Sequence, residues 1–358
     1  VITQIKNKYI PKETYQYTNK GETMDITYQR EVSHCAKSPY IKMYTVQTVE
    51  PAQNSDALDI IKFVETDYQS IVKRGSITNG EEVMFIPPES VLPFELSEEL
   101  NITKYLSKGR VIITKLRGNR SEGIVVPPAI VEPYIPYIMQ WEDQPTVQMM
   151  GMMTPKIEIP KNFEVFYKMP NIRNEPDTFV FGEQVAISEK IHGTNCRFGI
   201  FKNPSDGKEQ LYVGSHKTVL KESDENIYWK CVKDTLPDDI QLPMNTTFYC
   251  EIYGKGVQDM HYETNAPALK IFAIYREKNY VEPSQVEKTC NELSLPCVEY
   301  KYCKYMGLEK MKNLANAQST LYDGFKEGIV VVSTHEPNKM GKIISDRYLE
   351  RKNKTERH

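Results

Sequence analysis

The stretch "PPAIVEPYIPYIMQWEDQPTVQMMGMMTPKIEIP", residues 127 to 160, constrains the fold of this chain most. It is dense in proline and methionine. Its apolar residues keep neither the two-residue period of a strand nor the 3.6-residue period of a helix. A chain of 358 residues is longer than one ordinary core needs, so two domains are expected. The boundary is placed inside this stretch, giving 1–160 as a first domain with its linker and 161–358 as a second.

On the N-terminal side, "KMYTVQTVE" (42–50), "LDIIKFVE" (58–65), "EVMFIP" (82–87), "GRVIITKLRG" (109–118) and "GIVVPP" (123–128) are short and β-branched, with Gly, Pro, Asn or Asp at their ends. Such segments read as strands. "LSEELNITKYL" (96–106) predicts a helix between two of them, with Ser97 as its cap. A five-stranded barrel with an inserted helix is the OB pattern, so an OB-type β-barrel is expected. On the C-terminal side the pattern predicts strands near 184–188, 196–201, 247–253, 269–275, 328–332 and 342–345. Helices are predicted near 225–235, 284–293 and 307–317, so the fold class is α+β.

Composition narrows the function classes. With 40% hydrophobic and 26% charged residues, and no apolar run of about 18 residues, the chain reads as soluble with no membrane span. A net charge of -3 argues against holding nucleic acid by bulk charge. Any such contact must come from a local patch. The hairpin "KGRVIITKLRGNR" offers one in Lys108, Arg110, Lys115, Arg117 and Arg120, which could follow a phosphate backbone with little base specificity. The seven cysteines form no CxxC pair, which points to reduced thiols rather than zinc. "VITQIKNKYIPK" has no secretory apolar core, so an intracellular location is expected.

The chemistry concentrates around "SEKIHGTNCRF", residues 188–198. A lysine three residues before a glycine is uninformative alone, since Lys115/Gly118 and Lys304/Gly307 repeat it. Lys190, however, follows the strand-like "VAIS" and precedes a turn opened by Gly193, which would present its amine to a pocket. An ordinary lysine is neutral only about 0.04% of the time at pH 7, so a nucleophilic role calls for nearby cations. Lys339, Lys342 and Arg347 are candidates. Two glutamates add to the picture: Glu251 sits among apolar and aromatic residues in "FYCEIYG", and Glu327 precedes the apolar strand of "DGFKEGIVVV". Carboxylates so placed are rare unless paired or metal-bound. With a turn lysine they suggest metal-assisted phosphoryl chemistry.

In this order, "EKIHGTN", "EIYG", "KIFAIY", "KEGIVV" and "KIISDRYLER" resemble motifs I, III, IIIa, IV and V of the covalent nucleotidyltransferases. "EKIHGTN" is most similar to the RNA ligase 2 type. "LPFELSEELNITKYLSKGRVIITKLRGNRSEGIVVPP" is similar to the OB domain that precedes the ligase domain in the RNA ligase 5 family. The lack of a further domain after the motif V segment disfavours DNA ligases and capping enzymes. The resemblance implies an ATP-grasp-like adenylyltransferase domain over 161–358, with antiparallel sheets and peripheral helices.

It also implies an activity: an ATP-dependent RNA ligase joining 3'-hydroxyl and 5'-phosphate ends, most simply at nicks in duplexes, with DNA conceivable on one strand. Lys190 would take AMP from ATP as a lysyl adduct, and Mg2+ or Mn2+ would assist. Glu251 would contact the ribose or the metal, and Glu327 would hold the metal directly or through water. Phe272 would stack on adenine. Glu189, Ile191, His192, Gly193 and Asn195 would surround the nucleotide, with Arg197 facing either pocket or core. Lys342 is the motif V lysine, but the second basic residue usual there is replaced by Met340 or Ile344, depending on alignment. Lys217 stands where family members often carry arginine, and it lacks the guanidinium fork. A monomer is expected. A capping-type guanylyltransferase and a degenerate RNA-binding homologue are the alternatives.

Overall fold

The structure is a computed structural model that describes residues 2–5, 12–19, 22–29, 38–141, 159–216 and 218–350. Contacts divide the chain into two compact units, Val1–Asp143 with Arg173–Pro176, and Gln144–Ile172 with Asp177–His358.

In the first unit, β1 (Ile2–Ile5), β2 (Lys12–Asn19) and β3 (Glu22–Gln29) form an antiparallel meander. A second sheet takes β4 (Lys42–Pro51), β5 (Leu58–Phe63), β6 (Gln69–Lys73) and β7 (Glu82–Ile86). After helix α1 (Phe94–Glu99) come β8 (Ile113–Leu116), β9 (Asn119–Glu122) and β10 (Ile124–Val126). The five-stranded order is β10-β7-β4-β5-β6, antiparallel throughout. Its outer strands come close to one another: Ser70 Oγ on β6 donates to the carbonyl of Gly123, next to β10. The sheet is therefore a nearly closed barrel, filled by Tyr44, Val46, Ile61, Phe63 and Phe85.

Two expectations need correction here. Helix α1 starts and ends earlier than 96–106, because Asn101 takes a left-handed φ of 54° that ends it. Ser97 is not its cap but lies inside it, buried, with Oγ donating to the Phe94 carbonyl. The hairpin strand runs over Ile113–Leu116 rather than 109–118, since Lys108 and Gly109 both have positive φ and break the extended run.

The second unit holds two antiparallel sheets. The four-stranded one has the order β18-β11-β19-β20, where β11 is Gln184–Lys190, β18 Lys301–Lys304, β19 Gly328–Ser333 and β20 Met340–Ile344. The six-stranded one has the order β14-β13-β12-β15-β16-β17. These are β12 Gly193–Lys202, β13 Glu209–Ser215, β14 Val219–Leu220, β15 Thr247–Tyr253, β16 Ala268–Arg276 and β17 Asn279–Tyr280.

Each sheet buries one face under helices. Cys196, Phe198, Phe248, Cys250, Ile252 and Ile271 pack against Tyr228, Trp229 and Val232 of α2 (Ile227–Thr235) and Val286 and Cys290 of α3 (Pro283–Glu292). Asn226 caps α2 by accepting from the amides of Tyr228 and Trp229. Val185, Ile187, Ile329, Val331 and Ile343 pack against Met311 and Ala315 of α4 (Leu308–Ala315). Strand alternation sends the intervening residues to the opposite faces. There Tyr249 and Ala273 of one sheet meet Val332 and Met340 of the other around Phe166. The unit is a sandwich whose two inner faces share this cluster. Among the described residues, no helix is long and apolar enough to cross a membrane.

Candidate active site

The inner faces of the second unit carry the polar residues singled out in the sequence. On the four-stranded sheet, cross-strand partners lie on one face. Ser188 pairs with Val330, which pairs with Lys342, and Lys190 pairs with Gly328, which pairs with Ile344. On the six-stranded sheet, Asn195 pairs with Glu251, and Glu251 with Lys270. Phe272 follows beside a β-bulge and sets its ring edge against Phe166 at 4.9 Å.

Ile191 and His192 are the only residues between β11 and β12, which belong to different sheets. This two-residue crossing explains the compactness of "KIHG": it brings the end of one sheet to the start of the other. Ile191 anchors it in the helix-covered core. Gly193 is required for close approach rather than for a left-handed turn. A Cβ there would lie 2.1 Å from the carbonyl oxygen of Ile252 on β15.

Lys190 Nζ lies 2.5 Å from Glu327 Oε1. The expectation of cations beside the amine is thus answered by a carboxylate, and Lys339 instead pairs with Glu183 at 2.7 Å. Glu327 is 3% exposed. Burial alone would push its carboxyl up, but Lys190 and His192 outweigh burial and hold it at about 2. His192 Nε2 is 2.7 Å from Asp259 Oδ1, and its backbone amide donates to Tyr262 Oη at 2.6 Å. Burial would lower this imidazole, yet the Asp259 hydrogen bond and the Glu327 carboxylate raise it to about 9. Its Nδ1 stands 3.6 Å from Glu327 Oε2, a Coulombic rather than a hydrogen-bonded distance.

Several expected site residues are placed otherwise. The carboxylate of Glu189 points away from Lys190, as strand alternation requires, and accepts from Ser319 Oγ, Thr320 N and Thr320 Oγ1. Arg197 shares the face of Asn195, but it is 1% exposed, lies over the Phe163 ring and donates to the carbonyls of Ser215 and His216. It is interior, because the segment bearing Phe163 crosses that end of the sheet. Lys217 lies outside the described residues.

In the hairpin of the first unit, Lys115 and Arg117 are exposed and Lys108 is half-buried. Arg110 is buried, paired with Glu89 and stacked on Trp141, so it is not an exposed cation. Arg120 is partly covered and pairs with Glu122. Asp259, Tyr262 and Tyr348 were not singled out from sequence. Asp259 and Tyr262 come from a loop with no motif-like spacing, and Tyr348 lies within "KIISDRYLER" with nothing in that segment to mark it as a partner of His192.

Residues 183–344 match the family model described as RNA ligase. The matched segment, less than half of the chain, lies within the second unit and is similar to an RNA ligase domain. The wider fold is shared with solved structures. A Naegleria gruberi RNA ligase variant with ATP and Mn superposes with a TM-score of 0.71 at 16% identity, covering 87% of this chain and 98% of that one. The same ligase with PPi gives 0.71 at 17% identity, with 87% and 98% covered. A variant with AMP and Mn gives 0.71 at 16%, again over 87% and 98%. At such identities the likeness concerns the fold. No curated protein matches the chain by sequence.

Proposed function

We propose that this protein is an ATP-dependent RNA ligase that joins 3'-hydroxyl to 5'-phosphate ends at nicks in duplexes, through a lysyl-AMP on Lys190. The observation that carries the reading is the placement of Lys190. It ends a strand on the inner face of one sheet, held on a buried glutamate, next to a crossing that leads straight to Asn195 and Glu251 on the other. The structural neighbours support it, being ligases described with ATP, AMP and PPi.

In the first step the Lys190 ammonium gives up a proton to water. Its nitrogen bonds to the α-phosphorus as the bond to the bridging oxygen breaks, and pyrophosphate leaves with the electron pair while the second amine proton passes to water. AMP then moves to an RNA 5'-phosphate, and a 3'-hydroxyl displaces it. Each step needs charge neutralised on an in-line phosphoryl group, the task assigned to Lys342 and a divalent metal.

Among the described residues, no three His, Cys, Asp or Glu side chains could hold a metal by themselves. Glu327 Oε2 is nonetheless buried without a hydrogen-bond partner. Mg2+ and Mn2+ commonly need only one or two carboxylates when phosphate and water oxygens supply the rest. Glu251 and Glu327 therefore fit a metal that arrives with the nucleotide, where it would neutralise phosphate charge. Phe272, half-buried on the inner face, is assigned to adenine stacking, and Asn195, His192 and the Gly193 backbone to the ribose and phosphates.

Residues 1–160, which include the five-stranded barrel of the first unit, are read as an OB domain with its linker. Its strand order β10-β7-β4-β5-β6, with β6 approaching β10, supports that reading. Lys115 and Arg117, at the tip of its hairpin, are the cations best exposed for an RNA backbone.

A second reading is a ligase fold that binds RNA without forming the adduct. It is motivated by Met340, buried in the cluster between the sheets, and by the apolar Ile344, the two candidates for the second motif V base. Incubation with α-labelled ATP or GTP, followed by sealing assays on nicked duplexes with RNA or DNA on each side of the break, tests the choice. The ligase reading expects an acid-stable ATP-derived label, lost in Lys190→Ala, and sealing of an RNA 3'-hydroxyl. A GTP-only label would indicate a guanylyltransferase, and RNA binding without any label would favour the second reading.

A further inference from the structure

Residues 162–172 form neither a helix nor a strand, yet they are buried in a regular way. Phe163, Phe166 and Ile172 are buried and Met169 is half-buried, while Glu164, Val165, Tyr167 and Lys168 between them are exposed. A spacing of three belongs to an extended chain with three residues per turn rather than to a strand or an α-helix.

The segment is a strap from one sheet of the second unit to the other, and its anchors are backbone groups. The Asn162 carbonyl accepts from Thr247 Oγ1 at 2.9 Å and the Glu164 carbonyl from Tyr249 Oη at 3.0 Å, both on β15. The Tyr167 amide donates to Tyr280 Oη on β17 at 2.8 Å. At its far end the strap lies beside β20: the Lys342 amide donates to the Pro170 carbonyl and the Ile172 amide to the Lys342 carbonyl, both at 2.9 Å. A Cβ on Gly341 would sit 2.6 Å from Ile172 Cγ1, so the seat has no room for a side chain there.

Between these anchors Phe166 is a hub of ring contacts. Its centroid lies 4.9 Å from that of Phe272, 5.0 Å from Tyr249 and 5.4 Å from Tyr280, at interplanar angles of 83°, 61° and 75°. Perpendicular contacts of this kind fix the tilt of a ring and leave parallel stacking to another partner. Phe272 needs such a support. It is half-buried and stands beside a bulge where the register shifts between Tyr249 and Cys250, so the strand ladder alone does not set its direction.

We propose that Phe166 is a positioning residue for ATP: held by the strap, it sets the Phe272 ring to stack on adenine before the nucleotide arrives. ATP then does not have to order that ring, and binding is tighter by the cost avoided. A base stacked alike in ground and transition states adds affinity and not rate, so Phe166 acts on ATP binding and leaves the chemical step alone. The inference rests on the assignment of Phe272 to adenine in the proposed function.

Single-turnover formation of the labelled AMP adduct, followed over a range of ATP concentrations in the full chain, tests it on the wild type, Phe166→Leu, Tyr280→Phe, Phe272→Leu and the double variant Phe166→Leu/Phe272→Leu. Phe166→Leu is expected to raise the half-saturating ATP concentration about 3- to 10-fold, the worth of one perpendicular ring pair, with the maximal rate within about 2-fold of wild type. Tyr280→Phe keeps its ring but frees the Tyr167 amide, and is expected to give a smaller rise in the same direction. The double variant should match Phe272→Leu alone, because no ring is left to position. Effects that add in the double variant would mean that Phe166 touches the nucleotide itself, and they overturn the positioning role. A Phe166→Leu protein with unchanged half-saturation overturns it too, including one whose maximal rate falls, as general loosening of the fold would produce. Should Phe166→Leu fail to fold, an unchanged half-saturation in Tyr280→Phe overturns it instead. A wild type that forms no adduct refutes the ligase assignment and this inference together, whereas a wild-type adduct with Phe272→Leu impaired and Phe166→Leu unaffected refutes only the inference.

Discussion

His192→Gln removes an imidazole that the fold holds at about 9 against an ordinary value of 6.5. At about 1.4 kcal/mol per pH unit, that difference corresponds to roughly 3 kcal/mol of stability. The sign follows from proton binding. The folded protein holds the proton more tightly than the unfolded chain, so the contribution is complete below about pH 6.5 and is lost as pH rises through 9. Urea or thermal unfolding of both proteins at pH 6, 7.5, 9 and 10 isolates the effect as the change in their stability gap. The gap should narrow by roughly 3 kcal/mol across the series, which is about 6–12 °C in midpoint for a unit of this size. A gap that stays constant, or widens, would show that His192 is not held charged by Asp259 and Glu327.

Gly193→Ala would put a Cβ 2.1 Å from the Ile252 carbonyl oxygen, forcing β12 from β15. Urea unfolding should show a loss of about 3 kcal/mol or more, and near-wild-type stability would disprove the close packing. Arg173→Met would leave the 3%-exposed Glu122 and its neighbour Asp67 without the guanidinium that now binds both. The first unit should lose about 3–5 kcal/mol in denaturant, and a neutral result would mean that Arg120 suffices for Glu122. Phe272→Leu keeps an apolar side chain but removes the ring assigned to adenine. Calorimetry should show ATP binding weakened about 10-fold, and unchanged affinity would dismiss the stacking role.

Much of the second unit was legible in the sequence. The six strands expected there and its helices at Ile227–Thr235, Pro283–Glu292 and Leu308–Ala315 stand where the sequence pattern placed them, whereas the interior strand β13 was not foreseen. The reason is that these elements each bury a full face, which writes the period into the sequence. Elements with weaker burial left weaker traces. Strand β6, "QSIVK", is short and half polar. The site was legible as residue types but not as directions. Alternation along β11 already separates Glu189 from Lys190, whereas nothing local shows that the segment around Phe163 covers Arg197 or that Glu89 and Trp141 draw Arg110 inward. The partners of His192 come from residues 259, 262 and 348, so only the folded chain brings them together.

The central claim concerns one bond, between the side-chain nitrogen of Lys190 and the phosphorus of AMP. Intact-mass spectrometry of the full chain after incubation with ATP and Mg2+ or Mn2+ measures it directly, with peptide mapping to locate the site. The account predicts a gain of one AMP on Lys190 and none in Lys190→Ala. No gain in the wild type, or a gain that persists in the variant, would contradict it.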